Sequence, residues 1–136
     1  MSEWATKDAL LGQKVPKERH TVEGLGDVWI HGLTVGAKDE YEDEVFKLRA
    51  GSRQVKMKNA RALLVIRCVF NQHGTPFFGM DDLGRVIGMP AVSAEPIYEK
   101  ARKLSGMPAG EVEDLVKNSG AITEPDSGTG SPDTSA

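Results

Sequence analysis

The sequence predicts an α+β fold that is mostly α-helical: an N-terminal β-hairpin packed on about five helices, with a disordered C-terminal tail. Three observations carry this reading. Residues 17–33 alternate in character around a glycine-rich turn; residues 34–118 hold apolar side chains at helical spacing between start and stop signals; residues 119–136 hold almost nothing apolar. The length of 136 residues, with 39% hydrophobic and 27% charged, suits one ordinary globular domain. The expected organisation is an N-terminal segment 1–16, a single domain 17–118 (hairpin 17–33, helical part 34–118) and the tail.

Taking the elements in order, Trp4, Leu10 and Leu11 sit among polar residues in a segment suited to a short helix or to an irregular conformation against a partner. His20 with Val22, and Val28 with Ile30, flank Gly24-Leu25-Gly26-Asp27 and read as the two strands of the hairpin. Two strands alone are marginal in water, so the hairpin is expected to pack on helices or to pair with another chain. Thr34 is a candidate N-cap for an acid-rich helix in which Tyr41, Val45, Phe46 and Leu48 supply the apolar contacts, and Gly51 is its stop. Its acids come early and Lys47 and Arg49 late, as the helix dipole favours.

Only Arg61 and Arg67 interrupt the apolar run from Ala60 to Phe70. Alanine and leucine favour a helix there and Val65, Ile66 and Val69 would suit a strand; the expectation is a largely buried central helix. Asn71 to Pro76 is a turn by composition that delivers Phe77-Phe78, after which Met80-Asp81-Asp82 opens a short helix with Leu83, Val86 and Ile87, ending near Gly88-Met89-Pro90. Ser93 is the candidate cap of the next helix, with Pro96 in its first turn and Ile97, Tyr98, Ala101 and Leu104 at helical spacing up to Gly106. A last amphipathic helix is expected from Pro108 to Asn118 through Val112, Leu115 and Val116. The Ser, Thr, Gly, Pro and Asp of the remaining segment cannot bury enough surface to offset ordering it.

The charge balance narrows the function classes. Glu124, Asp126 and Asp133 in the tail account for the net charge of −3, so residues 1–118 are electrically balanced and offer no general attraction to nucleic acid or an anionic membrane. The opening MSEWATKDALLGQK lacks the basic and apolar regions of a secretory signal, and no stretch reaches the ~20 apolar residues that span a bilayer, so a cytoplasmic location is expected. Cys68 lies inside LLVIRCVF and reads as a small core residue. His20, His31 and His73 are isolated, which gives neither a nucleophile–base pair nor a metal-ligand spacing; no catalysis, cofactor or metal is expected. The acid pairs Asp39-Glu40, Glu42-Asp43 and Asp81-Asp82 are read as complements to helix starts. Gly24-Leu25-Gly26 lacks the third glycine and the basic residue of a phosphate loop.

Binding features remain. The basic cluster Lys56, Lys58 and Arg61 opens the central helix, where the dipole disfavours positive charge; a partner carboxylate or plain solvation would offset that. Phe77 and Phe78 cannot both enter one core from a turn: either one is buried under the loop while the other covers a helix, or the pair anchors a partner. Trp29 joins these as a candidate contact residue. The two helices of residues 81–104 have the outline of a helix-turn-helix, but Ala94, Glu95 and Pro96 stand where base-reading side chains are needed.

The order of these parts from Val28 to Met107, about 80 residues, resembles the tail assembly chaperone family of long-tailed bacteriophages. A strand and a Gly-Leu-Ser type junction before an acidic helix match VWIHGLTVGAKDEYEDEV. The family's Ala-rich apolar helix matches Asn59 to Phe70, its Phe matches Phe77 or Phe78, its Asp-rich helix start matches Met80-Asp81-Asp82, and its Leu-x-Gly close matches Leu104-Ser105-Gly106. The family's aspartate-glycine turn matches Asn71-Gln72-His73-Gly74, which departs from the usual acidic residues in having Asn71, Gln72 and His73. The resemblance implies a non-catalytic helper in the cytoplasm of the infected host, absent from the mature virion, that keeps the tape measure protein soluble while the tail tube polymerises. It implies the tail tube protein and a frameshifted longer form of the chain as further partners, with self-association open. The rivals are a structural tail component, such as a connector or terminator, and a DNA-binding regulator.

Overall fold

A computed structural model describes residues 4–50 and 57–120, with side chains throughout except at 48–50 and 118–120. The described chain runs α1 (Lys7–Leu11), β1 (Lys17–Val22), β2 (Gly26–His31), α2 (Val35–Ala50), α3 (Met57–Cys68), β3 (Val69–Phe70), a 3-10 turn (Met80–Asp82) leading into α4 (Leu83–Ile87), α5 (Ala91–Leu104) and α6 (Glu111–Gly120). It is the mostly helical α+β fold that the sequence predicts, with the hairpin near the N-terminus but preceded by the short α1. No described helix is long and apolar enough to cross a membrane.

The hairpin solves its marginal stability within its own chain. β1 and β2 pair antiparallel from Lys17↔His31 to Val22↔Gly26, and β3 adds a third antiparallel strand through Trp29↔Phe70 and Ile30↔Val69. The apolar run expected to stay helical to Phe70 therefore ends its helix at Cys68; Val69 and Phe70, a β-branched and an aromatic residue, meet the unpaired edge of β2 and take its hydrogen bonds instead. The inner face of the sheet packs on α5, with Ile30 fully buried and Lys100 ion-paired to Glu18 at 2.7 Å while donating to His20 Nδ1 at 3.1 Å. Gly32 makes the closest approach. A methyl group there would lie 2.1 Å from the Leu104 carbonyl oxygen, so only glycine lets the hairpin exit touch the end of α5.

α3 is the centre of the helical part. Ala60, Ala62, Leu63, Leu64, Val65, Ile66 and Cys68 are all buried, and α2, α4, α5 and α6 surround it. That burial overrides the strand preference of Val65 and Ile66. Cys68 is a core residue, as expected, and its burial pushes the thiol up to about 12, which leaves it protonated at neutral pH.

The ends of the elements confirm some signals and correct others. Thr34 caps α2, its hydroxyl accepting from Ala37 N at 3.0 Å. Because α2 starts at Val35, Asp39 to Asp43 fall beyond its first turn; the acids serve α3 instead, with Glu44 and Glu40 at 2.9 and 3.3 Å from Arg67. Phe46 is 46% exposed rather than a core contact, while Tyr41 and Val45 are fully buried. The Leu48 and Gly51 expectations lie outside the described side chains and residues. α5 begins at Ala91 rather than after Ser93, because the Pro90 carbonyl already accepts from Ser93 N and Ala94 N, both at 3.0 Å. Pro96 consequently sits in the second turn, where it leaves the Val92 carbonyl without its helical donor at a solvent-exposed position. α5 closes in a Schellman turn: Met107 N donates to Arg102 O and Gly106 N to Lys103 O, both at 3.0 Å, with Gly106 at φ +74° and Met107 buried. α6 starts at Glu111 rather than Pro108 and takes in Ser119 and Gly120, so those two residues belong to a helix and not to the tail; the rest of the expected tail, 121–136, lies outside the described residues.

Candidate binding trough

Small residues create the site. On α3, Lys58, Arg61, Ala62 and Val65 follow the i, i+3, i+4, i+7 spacing of one stripe, and this stripe faces α4 and α5. Opposite it stand Ala91 and Ala94 at the start of α5. Three alanines where leucines would fill the gap leave a hollow of about 160 Å³, walled by Val65, Val86, Ile87 and Met89 and bounded by the charged Lys58, Arg61 and Glu95.

Two further hollows share its walls. Val86 and Met89 also line one of about 370 Å³ whose remaining residues are Phe77, Phe78, Asp82 and Arg85. Arg61, Glu95 and Tyr98 also line one of about 240 Å³ together with Glu99, Arg102, Gly110 and Glu113. The three make a trough along α4 and α5 that is aromatic at one end, apolar in the middle and charged at the other.

The aromatic end is held by a built turn. Asn71 Oδ1 accepts from His73 N at 2.8 Å and Thr75 N at 3.0 Å, Asn71 N donates to Thr75 O at 2.9 Å, and Phe77 N donates to Val69 O at 3.0 Å. His73 is thus a turn residue, as its neighbours suggested. The rings of Phe77 and Phe78 meet edge to face, centroids 5.0 Å apart at 87°. Phe78 packs against the core and Phe77 is 51% exposed, so one ring holds the other out.

The charged end mixes satisfied and unsatisfied groups. Arg102 is almost wholly buried and donates from Nη1 to Met107 O and from Nη2 to Glu99, both at 2.7 Å; the Glu99 hydrogen bond raises its pKa further. The Arg61 guanidinium lies over the Tyr98 ring at 5.5 Å. Yet Arg61 Nε and the Tyr98 hydroxyl are buried without a hydrogen-bond partner among the described residues. Burial raises the Tyr98 pKa, and Glu113 adds to the rise.

Of the contact residues expected from sequence, Phe77, Phe78, Lys58 and Arg61 all line this trough. Lys56 lies outside the described residues. Trp29 belongs elsewhere: it is on the outer face of the sheet, beneath the Lys17 ammonium at 4.8 Å, in a hollow with Arg19, Asp27 and Gln72. Its neighbours there are mutually engaged, with Arg19 and Asp27 paired at 2.7 Å and His31 stacked on Phe70 at 4.1 Å. Val86, Met89, Ala94 and Tyr98 are not among the contact residues expected from sequence; the signal available was the pair Ala91 and Ala94 at the start of α5, which leaves space rather than filling it.

No family model, curated protein or solved structure matches the chain.

Proposed function

We propose that the chain is a tail assembly chaperone of the long-tailed phage type, which covers apolar helical stripes of the tape measure protein until the tail tube replaces it. The observation that carries this reading is the open trough between α3, α4 and α5, with its half-exposed Phe77 and its floor of small and apolar side chains. An amphipathic helix presents side chains at i, i+3, i+4 and i+7 to such a groove, and a long helical protein with exposed stripes aggregates unless they are covered. Charged groups at one end of the trough give a bound helix a direction as well as a seat. Displacement by tube subunits needs only that they bind the tape measure more favourably.

Co-expression with a phage tape measure protein tests the reading. The wild type is expected to keep that protein soluble and to co-purify with it, and Ala94→Glu, which places a carboxylate in the apolar part of the trough, is expected to lose both. A tape measure that aggregates regardless, or that is held equally well by Ala94→Glu, sinks the proposal. Retention of the chain in purified particles would favour a structural tail component instead.

A further inference from the structure

We propose that the contact between β1 and α5 is a proton-operated clasp: a proton on His20 expels the Lys100 ammonium and loosens β1 from α5, while the helical part stays folded. Lys100 reaches from α5 to the inner face of β1, where its Nζ pairs with Glu18 Oε2 at 2.7 Å and donates to His20 Nδ1 at 3.1 Å. An ammonium only donates, so Nδ1 keeps its lone pair and the imidazole is neutral, with its proton on Nε2. A proton on Nδ1 would set two cationic donors face to face at hydrogen-bonding distance. The closed clasp and the charged imidazole therefore exclude each other.

The surroundings offer an imidazolium no idle acid. Among the described residues, the charged groups that face His20 are Glu18 on its own strand, Asp27 on β2 and Lys100 on α5. Glu18 is engaged by Lys100, and Asp27 accepts from Arg19 Nε and Thr21 Oγ1, each at 2.7 Å. Burial and the Lys100 charge accordingly hold the imidazole below its ordinary value. With the clasp open the ring returns toward that value of ~6.5, so protons favour the open form as pH falls below it. Glu18 is then free to turn from Lys100 to His20, its neighbour on the same face of the strand. β1 is the outer strand of the sheet and pairs with β2 alone among the described strands, so an open clasp leaves β2 and the partly buried Val22 to hold it. The clasp lies apart from the trough, whose walls on α5 are Ala91, Ala94, Glu95 and Tyr98, and it operates whatever the trough binds.

Nuclear magnetic resonance of the full chain tests each part. At neutral pH the His20 ring nitrogens are expected to report a neutral imidazole protonated on Nε2, with a titration midpoint below the ordinary histidine value that moves up in Lys100→Met. Amide exchange, corrected for its intrinsic pH dependence, is expected to show β1 roughly two- to tenfold less protected at about pH 5 than at about pH 7.5, the factor that one partly exposed hydrogen bond carries, with α3 unchanged. His20→Gln keeps an acceptor for Lys100 but cannot take a charge, so its β1 is expected to stay equally protected at both pH values; His31 remains in that variant and controls for the other histidine of the hairpin. Circular dichroism establishes that each variant is folded, and Lys100→Ala replaces Lys100→Met if the latter is not. A neutral ring protonated on Nδ1, a midpoint that the Lys100 variant leaves in place, β1 protection equal at both pH values in the wild type, or a pH dependence that survives His20→Gln overturns the proposal.

Discussion

The two sides of α3 are built from the same helix and end in opposite states. Toward α2, Ala60 accepts the Tyr41 hydroxyl at 2.8 Å and Arg67 is clasped by Glu44 and Glu40, so the polar groups named there have partners and Tyr41 itself is fully buried. Toward α4 and α5, Arg61 Nε and the Tyr98 hydroxyl have none among the described residues, and alanines leave the wall recessed. A buried polar atom without a partner costs about 1–3 kcal/mol, a cost that Tyr41 and Arg67 on the closed side avoid. The contrast teaches that one helix can be closely packed on one face and leave a hollow on the other, so that stability and the proposed binding are separable by mutation.

The largest expected effect breaks the closed interior. Leu64→Ala empties a fully buried site and should cost about 2–5 kcal/mol, read as a lower midpoint in urea unfolding; a loss under about 1 kcal/mol would mean that the interior is less tightly packed than its burial implies. Next is Gly32→Ala, which forces the hairpin away from the Leu104 carbonyl and should cost roughly 1–3 kcal/mol in the same measurement. A smaller effect comes from pH. Burial lowers the pKa of His20 and of His31, with Lys100 adding to the first and Lys17 to the second. The unfolded chain then binds protons before the folded one, so stability is full above the unfolded value near ~6.5 and falls as pH drops through it toward the folded values. His20→Gln should flatten that part of the pH–stability curve, and an unchanged slope would remove His20 from the account.

Smallest in stability is Phe77→Ala on the open side. Its ring is half in water, so the midpoint should shift by no more than ~1 kcal/mol while co-purification of a trough partner drops. An equal loss of stability and of binding would erase the distinction between the two sides.

Much of the architecture was legible because local chemistry and tertiary context agree. The glycine-flanked hairpin, the Thr34 cap, the Gly106 stop and the buried Cys68 each follow from a residue's own preferences. The departures fall where partners distant in sequence decide. Val69 and Phe70 turn from helix to strand because β2 offers an edge, and Phe46 faces out because Tyr41 and Val45 already occupy the inner stripe of α2. The site was half legible: Lys58, Arg61, Phe77 and Phe78 were marked as unusual, but that they line one trough depends on how α3, α4 and α5 cross. Trp29 stands among the expected contact residues, and its placement on the far face of the sheet follows from strand parity, with Ile30 taking the inward position.

α3 passes into β3 without an intervening residue, and β3 sets Phe70 opposite Trp29. A tilt of α3 under a ligand in the trough would therefore be transmitted to an indole on the other side of the molecule. With Trp4→Phe, Trp29 is the one indole left in the chain, and its emission becomes an optical gauge of trough occupancy that needs no attached dye.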